Sequence, residues 1–383
     1  MMGYCAKPNA NAGDTNMCEL QGKKPPMALK LILVAAAVLS VAAALFLVPS
    51  SPALMVDTPV YVGAVDEWGY PAGFAIPAYA ICIAAGLAGA IALTAVLGWK
   101  RCGCLWKGMA LALVSAACAL VCGHLLFCAV RWSYIINDLG GSAAFLVQFW
   151  EGGYTMYGAV FGGLLGALLV SKATRTSLAE LLDILVPGMA LLILCGRFGE
   201  QFTSQGMASY RLAEALSMLP FAGMDEWGSP LLRVYAYEAI AAAAALIASL
   251  AVLLRKGPAG RAAETGLLII SVLQIMLDSW RGDELIKFGF VCLNMVMAAV
   301  VVVFILAARI IRRVKAKGWT PWTIARIPLF LLSVGVVVLV EFGLDGKFGI
   351  RAANTLLYSM QAAAIAVMLA SVLIDDGRRK FKV

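Results

Sequence analysis

Two parts of this 383-residue chain set ionisable side chains and glycines among long apolar runs. The first opens as Gln148-Phe-Trp-Glu-Gly-Gly-Tyr-Thr-Met-Tyr157-Gly158 and passes through an apolar segment and the basic turn Lys172-Ala-Thr-Arg175. It returns as Cys195-Gly-Arg197-Phe-Gly-Glu200-Gln-Phe-Thr-Ser-Gln205-Gly206. The second comprises Tyr235-Ala-Tyr237-Glu238 and Leu273-Gln274-Ile-Met-Leu-Asp278-Ser-Trp-Arg281-Gly-Asp-Glu. Arginine's planar fork can give two hydrogen bonds to phosphate oxygens and keeps its charge in a partly dry site. Arg197 is flanked by Gly196 and Gly199, which lack the side chains that would hold a headgroup at a distance. Two plainer readings stand beside this one: Arg197 snorkels to the interface, or it pairs with Glu200 one turn away. Glu200 is then either a base or the group that neutralises Arg197. Tyr157 can donate a hydrogen bond, but a phenol, with an ordinary pKa of about 10, is a poor base near neutrality. Asp278 and Arg281 lie three apart on one helical face and read as a local ion pair. Glu238 would be costly unpaired in an apolar span, and Arg233 or Arg281 can supply its partner. His124, the single histidine, reads as a hydrogen-bonded packing residue. Cys102-Gly-Cys104 has no further ligands at metal spacing and there is no nucleotide loop, so no metal and no cofactor is expected.

These residues must be positioned by membrane helices. Hydrophobic residues make up 62% of the chain and charged residues 14%, against roughly 45–50% and about 25% in a soluble domain. Spanning the bilayer takes about 20 mostly apolar residues, and ten stretches qualify, near 29–48, 74–98, 107–130, 154–171, 179–197, 232–254, 264–280, 286–309, 327–341 and 352–374. The fold expected is an all-α polytopic integral membrane protein of about ten transmembrane helices. Lys and Arg favour the cytoplasmic side. With both termini inside, 22 of the 30 fall there. The net charge of +8 then faces anionic lipid headgroups, and nucleic acid is not an expected partner. Residues 1–27 read as a disordered cytoplasmic tail and the run from Leu31 to Val48 as an uncleaved helix. The outer loops 49–73, 131–153, 198–231 and 342–351 are richer in aromatic and acidic residues than the inner ones. Only the inner loop 310–326 matches them in length. Chemistry is therefore expected at the outer face, where the segment pair around Tyr157 and Arg197 returns to one membrane depth. Gly158, Gly162 and Gly166 form a small-residue stripe that lets helices pack closely in lipid.

The order loop, hairpin, loop over residues 148–206 resembles the bacterial prolipoprotein diacylglyceryl transferase family. That family shows an aromatic-acid-Gly-Gly-x-x-x-His-Gly-Gly loop, a hairpin, and then Gly-Arg-x-Gly-Asn-Phe-x-Asn-x-Glu. The similarity runs from about residue 74 to 308. Pro77-Ala-Tyr79-Ala corresponds to a family Trp-Tyr-Gly, Tyr235-Ala-Tyr237-Glu238 to Gln-Leu-Tyr-Glu, and Leu273 to Glu284 to an Arg-x-x-x-Glu-Phe-x-Arg-Gly-Asp segment. There are departures. The family's loop histidine is Tyr157, its asparagine Glu200, its glutamate Gln205 and its second arginine Gln274, and a further family arginine corresponds to His124.

The resemblance implies a bacterial inner-membrane enzyme. It would move the diacylglyceryl group of phosphatidylglycerol onto the lipobox cysteine of prolipoprotein signal peptides at the outer face. Arg197, Tyr157, Glu200 and Tyr79 would be catalytic. Gly153, Gly158, Gly199, Gln205, Glu238, Gln274, Asp278 and Arg281 would hold substrate, with membrane lipids as the surroundings. The expected organisation is a tail at 1–27, an extra helix and outer loop at 28–73, the transferase-like core at 74–308, and two extra helices with basic segments at 309–383. The alternative is a non-catalytic or altered-acceptor phospholipid-binding relative. A small-solute transporter would need a polar site at mid-depth, where the spans carry few charges.

Overall fold

The computed structural model describes residues 26–47, 59–62, 75–137, 141–149, 152–203, 205–225, 227–255, 257–283, 286–288, 291–346 and 353–373. Residues 1–25 of the expected tail 1–27 and most of the loop 49–73 lie outside these, and Met27 already belongs to the first helix. Ten helices among the described residues are long and apolar enough to cross a membrane. In chain order they are α1 (Met27–Leu47), α2 (Ala78–Cys102), α3 (Leu105–Val130), α4 (Met156–Thr174), α5 (Leu178–Gly199), α6 (Val234–Leu254), α7 (Arg261–Trp280), α8 (Leu293–Lys317), α9 (Pro321–Leu344) and α10 (Asn354–Leu373).

Close approach of backbones organises the bundle. Gly158, Gly162 and Gly166 of α4 lie directly on α3: a Cβ at Gly166 would stand 2.5 Å from Ser115 Cα, and one at Gly158 would stand 2.8 Å from the Cys122 carbonyl oxygen. The stripe therefore buries helix against helix without side chains between them, the way small residues associate spans in lipid. Gly98 of α2 and Gly108 of α3 meet in the same way. A second core of Leu268, Val272, Ile275, Met295 and Val302 joins α7 to α8 and continues into Val337 of α9 and Ile365 of α10.

The expected inner loop 310–326 is not a loop. α8 continues to Lys317 and α9 begins at Pro321, so the link is only residues 318–320. Thr320 caps α9 by accepting a hydrogen bond from Thr323 N, and Pro321 occupies the first turn, where its missing N–H costs nothing. The ninth span is thus 24 residues rather than the expected stretch 327–341. Arg326 is carried inside the helix, 2% exposed, with its guanidinium over the Trp322 ring.

At the end of the bundle that carries Arg197, short loop pairings tie the elements together. Tyr235 N donates to the Gly206 carbonyl and Gly282 N to the Met207 carbonyl, at 2.9 and 2.8 Å. Isolated β-bridges join Met207 to Arg233 and Ala208 to Arg281. The loop after α5 is therefore sewn to the start of α6 and the end of α7.

Candidate functional site

Those pairings bring three helix ends together. Arg197 stands in the last turn of α5 and Glu200 opens the 3-10 turn that follows. Glu238 sits in the second turn of α6, Gln274 and Asp278 lie one above the other on α7, and Arg281 caps that helix. The Arg197 guanidinium donates to Glu200 at 2.5 Å, approaches Glu238 at 3.4 Å, and rests its other nitrogen 3.4 Å from Met156 Sδ. Arg281 donates to Glu238 at 2.7 Å and to Glu200 at 3.1 Å, and pairs with Asp283 at 2.5 Å. The Gln274 amide donates to both Glu238 and Asp278, at 2.8 and 2.7 Å.

Two guanidinium groups therefore face four carboxylates, and three of the four touch an arginine directly. The second oxygen of Asp278 is buried with no hydrogen-bond partner among the described residues. Burial works against ionisation of Asp283, but hydrogen bonds and charge from Arg281 outweigh it and hold the carboxyl below its ordinary range. An anion entering here must compete with carboxylates already seated on both arginines.

A cavity of about 420 Å³ opens beside the cluster, within the size range of ligand pockets. Tyr79, Arg197, Glu200, Gln205 and Arg281 line its charged end, and apolar faces of α2, α3, α4 and α5 line the rest. Gly199 lets the α5 backbone close onto α2: a Cβ there would stand 2.8 Å from Cys82 Cβ and 3.1 Å from the Tyr79 ring.

The remaining expected residues fall elsewhere. Glu238, Gln274 and Asp278 belong to the cluster behind the cavity wall. Gly153 turns at a φ of +75° against the Phe127 ring, and Gly158 faces α3. Tyr157 is 1% exposed and joins the α7–α8 core; its hydroxyl has no well-formed hydrogen bond, although Ser271, Asp278 and Arg197 lie within electrostatic range. The expected Asp278–Arg281 pair gives way to other bonds, because Arg281 turns across the bundle while Gln274 takes Asp278. Glu238 does find Arg281, as its cost in an apolar span requires. Arg197 pairs with Glu200 as one of the plainer readings has it, and it also lines the cavity. His124 is fully buried, with Nδ1 3.1 Å from the Gly153 carbonyl and Nε2 2.9 Å from that of Phe145, pinning the loop before α4. Sequence reasoning left out Asp283 and Met156. Asp283 stands two residues beyond Arg281 in the same short loop, which is the signal that could have found it.

Comparison with known proteins gives a consistent result. The prolipoprotein diacylglyceryl transferase family model matches residues 70–312. Among similar proteins, one from Acaryochloris marina is 32% identical over 87 residues, which is 23% of this chain and 30% of the relative. One from Mycobacterium bovis is 30% identical over 134 residues, covering 34% of this chain and 28% of the relative. A third, from Lysinibacillus sphaericus, is 24% identical over 209 residues, covering 52% and 74%. All three are named phosphatidylglycerol--prolipoprotein diacylglyceryl transferase. The chain thus spans less than a third of the length of the first two relatives. The family model spans α2 through most of α8, well over half of the sequence, and its match includes every member of the charged cluster, so the chain belongs to the prolipoprotein diacylglyceryl transferase family.

Proposed function

We propose that this protein transfers the diacylglyceryl group of phosphatidylglycerol to the lipobox cysteine of a prolipoprotein at the outer face of a bacterial inner membrane, with both termini cytoplasmic. The observation that carries the reading is the placement of Arg197, Glu200 and Arg281 together at the charged end of an apolar cavity. A phospholipid needs that combination, a cationic seat for phosphate and an apolar volume for its chains.

In the reaction the cysteine sulfur forms a bond to the glycerol carbon while the bond from that carbon to the phosphate oxygen breaks. The electron pair leaves with glycerol phosphate. Arg197 and Arg281 hold the phosphate as its charge grows, and their fork geometry suits two oxygens at once. The thiol proton passes to Glu200, which lines the cavity, whereas Tyr157 is sealed in the helix core. Glu200 afterwards returns the proton to the departing phosphate. Tyr79, at the same end of the cavity, orients the headgroup through its hydroxyl. The residues of the cluster behind the cavity wall set the position of the two arginines.

The test is transfer of labelled diacylglyceryl from phosphatidylglycerol to a lipobox-cysteine peptide by purified protein in nanodiscs, with Arg197→Ala as control. Turnover at least about a hundredfold above the control is expected, the scale lost when one charge-stabilising donor is removed. The second reading, a relative that binds phospholipid without turning it over, is favoured by the excess of carboxylates around the arginines. Lipid retention without product would establish it in place of the first.

A further inference from the structure

The cavity is long as well as apolar. On α2 its lining runs from Tyr79 to Thr94, and on α5 from Arg197 back to Leu185. At 1.5 Å per residue these are depths of about 22 Å and 18 Å. The far end is built differently from the walls. Thr94 is 1% exposed and Ser115 3% exposed, both line the cavity, and neither hydroxyl has a hydrogen-bond partner among the described residues. Ala112 on α3 and Leu185 on α5 complete this end, where the backbones press close: Gly188 lies against Thr94, and Gly166 against Ser115. The slot is therefore apolar along its length, charged at one end and tapered at the other to a floor lined by Thr94, Ser115, Ala112 and Leu185.

We infer that this slot takes a single acyl chain of the bound lipid and that the narrow floor at Thr94, Ser115, Ala112 and Leu185 sets the longest chain it accepts. The inference rests on the reading of the site as a phospholipid site. An extended chain with C–C bonds of about 1.5 Å advances roughly 1.3 Å per methylene, so 18–22 Å accommodates about 14–17 carbons. A longer chain must force close-packed side chains apart at the floor or leave methylenes outside the slot, and overpacking of this kind is unfavourable. Ala116 and Ala119 of α3 line the slot above the floor, and their small side chains keep it open there.

Native mass spectrometry reads the selection directly. Purified protein is mixed with equimolar phosphatidylglycerols carrying chains of 12, 14, 16, 18 and 20 carbons, and the bound species are weighed. The native protein retains the 14- and 16-carbon lipids at least about fivefold over the 20-carbon lipid. Ala116→Phe, or the milder Ala116→Leu if the first does not fold, moves the preferred length down by two carbons or more. The double substitution Thr94→Ala with Ser115→Ala removes side-chain atoms from the floor and moves the preference up. Lipid binding with one chain-length profile for all variants, or shifts of the same sign, overturns the ruler. No phospholipid retained by any folded variant overturns the phospholipid reading itself, and loss of turnover alone touches neither.

Discussion

Helix α7 carries two buried polar clusters on opposite faces, and they are built on different principles. On one face Gln274, Asp278 and Arg281 join Glu200, Glu238 and Arg197, a group containing both signs of charge and bordering the cavity. On the other face the Ser279 hydroxyl donates to Glu341 of α9, while Gln361 of α10 donates to Ser279 at 2.6 Å and to Glu341 at 2.9 Å. Among the described residues, the hydrogen bonds of the second cluster involve no cation. Its carboxylate is satisfied by neutral donors, as befits a clamp that joins helices without needing to exchange partners. The first keeps groups of both signs at a cavity wall, where on the proposed reading a substrate phosphate replaces one partner by another. A network that only holds helices together needs no such reserve.

Removing Arg281 should break that contrast most severely. Arg281→Ala leaves Glu200 and Glu238 to share Arg197 alone and takes the arginine from Asp283, and loss of one partner of a buried ion pair costs about 3–5 kcal/mol. A large fall in the thermal-denaturation midpoint in detergent is expected; a midpoint within a degree of the native protein would mean that the charged cluster is no more than decoration. Gln274→Arg sharpens the comparison from the other side. A third cation there would reach Glu238 and the open oxygen of Asp278, releasing Arg197 and Arg281 toward the cavity. Retention of phosphatidylglycerol should rise about tenfold, or about 1.4 kcal/mol, and a fall instead would show that the carboxylate excess is needed.

Glu341→Gln tests the clamp. One hydrogen-bond acceptor is altered and no charge pair is broken, so a loss of about 1 kcal/mol is expected, with diacylglyceryl transfer per folded molecule unchanged. A collapse of transfer at intact stability would place Glu341 in the site. The smallest effect is the pH response of Asp283. Because Arg281 holds its folded-state pKa below the ordinary value, its contribution is fully present above about pH 4 and disappears as pH falls through the lower folded value. The difference in midpoint between native protein and Asp283→Asn should stay constant from pH 7 to 5 and shrink only in more acidic solution. A difference that shrinks between pH 7 and 5 would contradict the Arg281 pairing.

Composition alone announces the helices, because no soluble surface can be made from a chain this apolar. Their ends were harder to read. The ninth span looks short in sequence because Arg326 and Pro328 interrupt its apolar run, yet the helix accommodates both, the proline inside and the arginine over Trp322. Spacing also misleads about Arg281. Asp278 is three residues away on the same helix, while Glu238 and Glu200, which Arg281 pairs with besides Asp283, are 43 and 81 residues distant. Local periodicity has no access to such pairs. It did place Arg197 beside Glu200, because one turn of α5 is local geometry, and it placed the glycine stripe of α4 for the same reason. The depth of the cavity was invisible, since its walls are alanine, leucine and isoleucine that look like any other span.

The clamp on Ser279 also has a schedule. Glu341 lies 62 residues and Gln361 82 residues after Ser279 in the chain. At about 5–20 residues per second the ribosome delivers them roughly 3 to 16 s after Ser279 itself has been made. During that interval α7 already carries its polar groups but lacks the two helices that enclose one of its faces, so this end of the bundle reaches its final form late in biosynthesis.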